Sequence, residues 1–377
     1  MMTKDKKDTL QAWARKPHIL IAALLVVLVA YNTLILSGIG TTLRERAAEE
    51  AELTRPSAIS IVALVDGGCS SCYDITEALA ALKGANVEVK SESTLQYSTG
   101  EGNALVSRYG IRKIPSLVVT GEIDRDQGFE SELELRVDAL VFEAPAPPYV
   151  DAATGQQKGI VDTVLIEKAD CVNCFSFRQY ITQFSQMGVA LGSTQVLDSG
   201  DGEAQRLIAE HGIKKLPTLI ISSDIAEYSS ILEALRASFA PQGDGSYLNK
   251  VVSPPYYSLE SQSVVGLVTL TLLSDATCPD CYNVSAHKSI LPRFGVVVGE
   301  EKAFDVSSAE GKALVAAYNI SKVPTMMLSG DAQLYAALMS VWPQVGKVAA
   351  DKSLIFTQTE SMGIYKDLST GATIKNA

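Results

Sequence analysis

A Cys-x-x-Cys pair followed at a fixed interval by a proline turn occurs three times in this chain, and that spacing constrains its architecture more than any other feature. From Cys69 to Pro115, from Cys171 to Pro217 and from Cys278 to Pro324 the interval is 46 residues each time. The turns read YGIRKIPSL, HGIKKLPTL and YNISKVPTM. Other columns keep step: Leu105, Leu207 and Leu314 stand ten residues before the proline, Ile111, Ile213 and Ile320 four before, and Lys113, Lys215 and Lys322 two before. A constant period of this kind marks one supersecondary unit repeated in series.

Each copy predicts the same elements. An apolar run (ISIVALV, VDTVLI, LVTLTLL) of strand character leads into the Cys-x-x-Cys turn, and the first cysteine is expected to cap a helix. Ile75, Leu79 and Leu82, and then Phe177, Ile181 and Phe184, repeat at helical spacing and predict one buried face. The third copy is looser, because Lys288 interrupts the stripe between Val284 and Leu291 and Pro292 ends it early. A second strand follows, then a short helix stopped by Gly110, Gly212 or Asn319, residues that tolerate the left-handed conformation of a helix end. The proline turn and a third strand complete a β-α-β-α-β order. Residues 144–159 and 251–266 carry prolines and turn signals that predict linkers folded as hairpins, and GIYKDLSTGATIK echoes them after the third copy.

The N-terminal region differs. Residues His18 to Gly40 hold 23 consecutive positions without a charged side chain at neutral pH. At about 1.5 Å per residue they span a hydrocarbon core of roughly 30 Å, and the run exceeds the apolar core of a cleavable signal. Lys4, Lys6, Lys7, Arg15 and Lys16 precede it, so the positive-inside rule puts residues 1–17 in the cytoplasm and the remainder on the extracytoplasmic side. The expected division is a basic tail (1–17), a transmembrane helix (18–40), a linker (41–57) and three repeats (58–158, 159–265, 266–377). A formal charge of -11 lacks the basic footprint that phosphate backbones require, so nucleic acid is excluded as a partner.

All six cysteines lie in the pairs Cys69/Cys72, Cys171/Cys174 and Cys278/Cys281. At this spacing cysteines read as redox or metal chemistry rather than as a disulfide framework joining distant segments. A thiolate is the attacking species in disulfide exchange, and a helix N-terminus stabilises it. The second cysteine, one turn on, is placed to resolve the mixed disulfide.

A strand, a Cys-x-x-Cys helix start and a distant Ile-x-x-[IV]-Pro-[ST] turn resemble the thioredoxin-fold superfamily, including the tandem units of protein disulfide isomerases. The resemblance covers about residues 58 to 370. It implies an α/β fold of three tandem thioredoxin-like domains, each a central mixed sheet with flanking helices, behind the transmembrane helix. It also implies that Cys69, Cys171 and Cys278 attack, that Cys72, Cys174 and Cys281 resolve, and that Ile114-Pro115, Leu216-Pro217 and Val323-Pro324 form cis-proline loops presenting backbone to an extended substrate. No cofactor and no metal are implied.

Departures from the family are specific. The tryptophan expected before the first cysteine is replaced by Gly68, Asp170 and Thr277, and the buried acid six residues upstream by Ala63, Leu165 and Leu272. Asp66 and Asp275 are the alternative acids, read as solvated loop residues. Pro279 and the like charge of Asp170 beside Cys171 rank the third pair as most reactive and the second as least. Lys113, Lys215 and Lys322 read as solvated turn residues, and Tyr73, Phe175 and Tyr282 as packing. His18, His211 and His287 are too scattered for a metal cluster, and the sequons at Asn283 and Asn319 read as chance.

Three functions fit this pattern. One is a membrane-anchored thiol–disulfide oxidoreductase acting on exported or envelope proteins, with a membrane electron donor or acceptor encoded elsewhere. The second is a binding or scaffold protein with partly inert disulfides. The third is metal handling by paired thiolates.

Overall fold

The computed structural model describes residues 17–124 and 133–375. Contacts divide the chain into two compact units, one of Met1–Asp66 with Asp74–Glu143, the other of Gly67–Tyr73 with Ala144–Ala377. Residues 1–16, which carry the basic tail, lie outside the described residues.

The first unit begins with a helix, Pro17–Thr54. Within its stretch Leu20–Glu52 an 18-residue window has a mean hydropathy of 2.4, so by length and composition the helix could cross a membrane. The helix runs on through the segment expected to be a linker. The sequence TTLRERAAEEAELT explains this, being dense in Ala, Leu, Glu and Arg, the strongest helix formers. Beyond the helix, Arg55 places both terminal nitrogens on Glu122, at 2.7 and 2.6 Å, and Glu122 also accepts the Ala58 N–H at 2.9 Å. Hydrogen bonds from Glu122 and then Glu52 hold the Arg55 guanidinium above its ordinary pKa. Strands β1 (Ser57–Val65), β2 (Val87–Gln96), β3 (Lys113–Ile114), β4 (Ser116–Gly121), β5 (Glu134–Arg136) and β6 (Ala139–Glu143) follow. Five of them form one sheet in the order β2-β1-β4-β6-β5, with β1 parallel to β2 and antiparallel to β4. The parallel pair needs a crossover, and the helix Thr76–Gly84 lies within that connection.

In the second unit, β7 (Tyr149–Asp151) and β8 (Gln157–Lys158) form a hairpin. Next come β9 (Ile160–Glu167), β10 (Ala190–Asp198), β11 (Lys215–Leu216), β12 (Thr218–Ile221), β13 (Phe239–Pro241), β14 (Tyr247–Asn249), β15 (Tyr256–Ser258) and β16 (Ser263–Val265). The same series recurs as β17 (Val268–Ser274), β18 (Val298–Asp305), β19 (Lys322–Val323), β20 (Thr325–Leu328), β21 (Gly346–Val348), β22 (Leu354–Phe356), β23 (Tyr365–Asp367) and β24 (Thr373–Ile374). The large sheets run β10-β9-β12-β14-β13 and β18-β17-β20-β22-β21, repeating the order in the first unit. Small sheets β11-β15-β16 and β19-β23-β24 join each proline turn to its closing hairpin. Alternation along β9 buries Val161 and Leu165 in one core with Phe177, Phe184 and Leu219, while Ile166 packs in a second with Leu216 and Ile220. Val268, Leu270 and Leu272 of β17 pack with Trp342 on one side, and Leu273 with Val323 and Met327 on the other.

The helix stops fall where the sequence puts them. Gly110, Gly212 and Asn319 are left-handed, with φ of 60°, 61° and 49°, at the ends of helices Gly100–Tyr109, Gly202–His211 and Ala309–Tyr318. The helix starts do not. The helices after the cysteines are Thr76–Gly84 and Arg178–Gln186, and in the third copy only the 3-10 turns Val284–Ser289 and Leu291–Phe294 form. The first cysteine therefore caps no helix in any copy. A polar side chain five residues after it explains the delay: Asp74, Ser176 and Asn283 each accept the backbone N–H two residues on, at 2.9, 3.2 and 2.9 Å. Side chains of this kind compete with helical hydrogen bonding and shift the start downstream.

Candidate functional site

Each cysteine pair is a disulfide within a turn, with Cα atoms 5.4 Å apart. The second and third turns close locally. Cys174 N–H donates to the Cys171 carbonyl at 3.2 Å, and Cys281 N–H to that of Cys278 at 3.2 Å. The residue after each pair reaches further. Tyr73 N–H donates to Pro148 O at 2.8 Å, Phe175 N–H to Pro255 O at 2.7 Å and Tyr282 N–H to Ile364 O at 2.9 Å. Each of these acceptors lies beside the closing hairpin of the same repeat, so the cysteine turn is moored to that hairpin instead of to a helix. The bonds Ile114-Pro115, Leu216-Pro217 and Val323-Pro324 are cis, as are Pro147-Pro148 and Pro254-Pro255 ahead of the first two hairpins.

The third copy shows the most complete site. Cys278, Cys281, Asp275 and Pro324 line one cavity of about 350 Å³. Cys278 is only 7% exposed, whereas Cys69 and Cys171 are half-buried. Cover of that degree limits access to the sulfur, which works against the top rank that Pro279 gives this pair in sequence.

Asp275 is likewise no solvated loop acid. It is buried, and Lys366 Nζ from β23 lies 2.8 Å from its Oδ2. Burial pushes the Asp275 carboxyl upward, but Lys366 and Thr277 donate to it and the net displacement is downward, so it stays ionised. The second copy has Lys168 in this column, 3.7 Å from Asp170 and 5.8 Å from the centre of the Tyr257 ring.

The turn lysines are engaged too. Lys215 Nζ lies 4.4 Å from the centre of the Tyr256 ring, and Lys322 Nζ pairs with Glu360 at 2.8 Å. Tyr282 packs as expected, and its hydroxyl donates to Pro324 O at 2.8 Å. Two further side chains, unmarked in the sequence, touch sulfur. Gln157 Nε2 lies 3.1 Å from Cys69 Sγ, and Thr373 Oγ1 lies 3.8 Å from Cys278 Sγ. The only forewarning was their place in segments that read as hairpins.

His287 follows Cys281 by six residues and is buried against the Phe356 ring, 4.6 Å between centres. Its Nε2 has no hydrogen-bond partner among the described residues, and burial lowers its pKa. The unfolded chain therefore takes up a proton near pH 6.5 that the folded site refuses, and stability drops as pH falls below that value. Tryptophan fluorescence of buried Trp342 during urea unfolding should give a lower midpoint at pH 5.5 than at pH 7.5, and His287→Phe should flatten this dependence. Equal slopes in the two proteins would refute it.

Glu210, His211 and Asp244 bring three candidate ligand atoms within 4.8 Å of one another at the surface, with no cysteine among them.

No known family profile matches the sequence, and no curated protein matches it. Among solved structures the chain is similar to full-length ERdj5, with 13% identity, 74% of this chain and 40% of that chain covered, and a TM-score of 0.15. The zinc-bound form of human ERp44 matches at 9% identity over 73% and 79%, TM-score 0.14. The N-terminal domain of the alkylhydroperoxide reductase AhpF from Enterococcus faecalis matches at 15% identity over 52% and 98%, TM-score 0.15. The chain thus spans 40% of the length of ERdj5, and superpositions this loose carry no argument. What the chain itself displays is a mixed α/β architecture of three similar sheet units, each with one Cys-x-x-Cys pair and one proline turn at a common spacing, an arrangement that fits tandem thioredoxin-like units.

Proposed function

We propose that this protein is a membrane-anchored thiol–disulfide oxidoreductase of exported proteins, built as three thioredoxin-like modules (58–158, 159–265, 266–377) held outside the cytoplasm by residues 18–40. The observation that carries this reading is the cavity in the third repeat, where both cysteines, an ionised acid and the proline turn meet. A structural disulfide has no need of such a cleft.

In the disulfide form, a client thiolate attacks Sγ of Cys69, Cys171 or Cys278. The bond within the pair breaks, and Cys72, Cys174 or Cys281 leaves as a thiolate that takes up a proton. A second client thiolate then attacks the mixed disulfide and expels the first cysteine. Two electrons pass from the client dithiol to the pair, and the client gains a disulfide; the reverse sequence reduces a client. In the third repeat Asp275 lines the same cavity as both cysteines, with its carboxylate held by Lys366 and Thr277.

The full chain in detergent should catalyse thiol-dependent reduction of insulin, and a variant with all six cysteines changed to Ser should show only the uncatalysed rate. Equal rates for the two proteins would favour the scaffold reading.

A further inference from the structure

We propose that the closing hairpin of each repeat sets the reactivity of its attacking cysteine through one side chain, so that the three sites are graded by residues about ninety positions away. This inference rests on the redox reading above.

The hairpins align through their pairing. Gln157 lies opposite Val150, Val264 opposite Tyr257 and Thr373 opposite Lys366. These three residues therefore occupy one column on the second hairpin strand. Two of them meet the first cysteine of their own repeat. Gln157 Nε2 donates to Cys69 Sγ at 3.1 Å and to Ser71 Oγ at 2.8 Å, so both amide protons find acceptors in the Cys-Ser-Ser-Cys turn. Thr373 Oγ1 approaches Cys278 Sγ at 3.8 Å, a longer and weaker contact. Val264 has no donor to offer Cys171.

A sulfur in a disulfide is a poor acceptor, while a thiolate is a strong one, so the contact gains strength as the pair is reduced. When the client's second thiolate displaces Cys69 from the mixed disulfide, the sulfur leaves with the bonding electron pair and the Gln157 amide stabilises that charge. The expected effects are a lowered Cys69 thiol pKa and a raised reduction potential for the first pair. The third pair gains less, both because its contact is longer and because Cys278 is buried. The second gains nothing, and Asp170 beside Cys171 adds like charge. The resulting order of reactivity is first, third, second.

The test uses the full chain in detergent with two of the three pairs changed to Ser, leaving one site for study. Thiolate absorbance of the reduced protein is titrated against pH, and the disulfide is equilibrated with glutathione. Gln157→Ala should reduce the Cys69 thiolate fraction at neutral pH by roughly tenfold, the scale of a hydrogen bond to a charged group. A tenfold change corresponds to about 30 mV toward a more negative potential. Gln157→Glu keeps the shape but removes the donor, and should lose at least as much. In the second repeat, Val264→Gln should raise the Cys171 thiolate fraction. Thiolate titrations of Cys69 that coincide for wild type, Gln157→Ala and Gln157→Glu overturn the inference. A Cys69 titration that moves as stated while insulin reduction is absent upholds this contact and faults the redox reading instead.

Discussion

A chain carrying Cys72→Ala, Cys174→Ala and Cys281→Ala should retain envelope proteins as covalent adducts that dissolve on adding dithiothreitol. The wild-type chain should retain almost none. Release of a mixed disulfide by the neighbouring thiol is an intramolecular step, and without that thiol release must await an external one. The half-buried Cys69 should account for most of the captured material, and Cys171, with Asp170 beside it and no hairpin donor, for least. Changing the first cysteines instead, Cys69→Ala, Cys171→Ala and Cys278→Ala, should abolish the adducts, which separates attack from resolution. An envelope lysate that yields no reducible adducts to the first variant would sink the oxidoreductase reading and leave the scaffold in its place.

The second large effect concerns the pair Asp275–Lys366. Lys366→Met strands a carboxylate that is buried beside Cys278, and should cost about 3 kcal/mol in the stability of the third repeat. The double change Asp275→Leu with Lys366→Met should recover most of that loss, because replacing both members of a buried pair is far milder than orphaning one. Trp342 lies in the core of this repeat, and the other tryptophan, Trp13, can be changed to Phe, so urea unfolding followed by fluorescence reads the third repeat alone. The pH signature is distinct from that of His287. The folded Asp275 pKa lies below its unfolded value, so its contribution is present above about pH 4 and lost as pH falls through the folded value. That acid limb should disappear in the double variant. Additive single effects, with no coupling between the two positions, would show that the pair contributes nothing as a pair.

The repeat was plain in the sequence because an interval of 46 residues survives any local substitution, and the helix stops were plain because Gly110, Gly212 and Asn319 announce a left-handed residue directly. The helix starts were misread for an equally local reason. Asp74, Ser176 and Asn283 look like ordinary turn residues, yet each takes the N–H that fixes where regular structure can begin. What sequence could not disclose was contact across long separations. Asp275 looked like a loop acid because Lys366 is remote in the chain, and only the pairing of β19 with β23 brings it back. Gln157 and Thr373 carried no signal beyond their place in segments that read as hairpins, since a polar residue on a short hairpin strand is commonplace until a sulfur is found beside it.

The mooring of each cysteine turn to its closing hairpin also orders events in time. Gln157 follows Cys69 by 88 residues and Thr373 follows Cys278 by 95. A ribosome makes each pair of thiols long before it makes the strand that will hold them. During synthesis every Cys-x-x-Cys therefore emerges before the hairpin that moors its turn. Only with that hairpin does the chain supply the Pro148, Pro255 and Ile364 carbonyls that accept from Tyr73, Phe175 and Tyr282, so chain growth sets the order in which the cysteine turns are fixed.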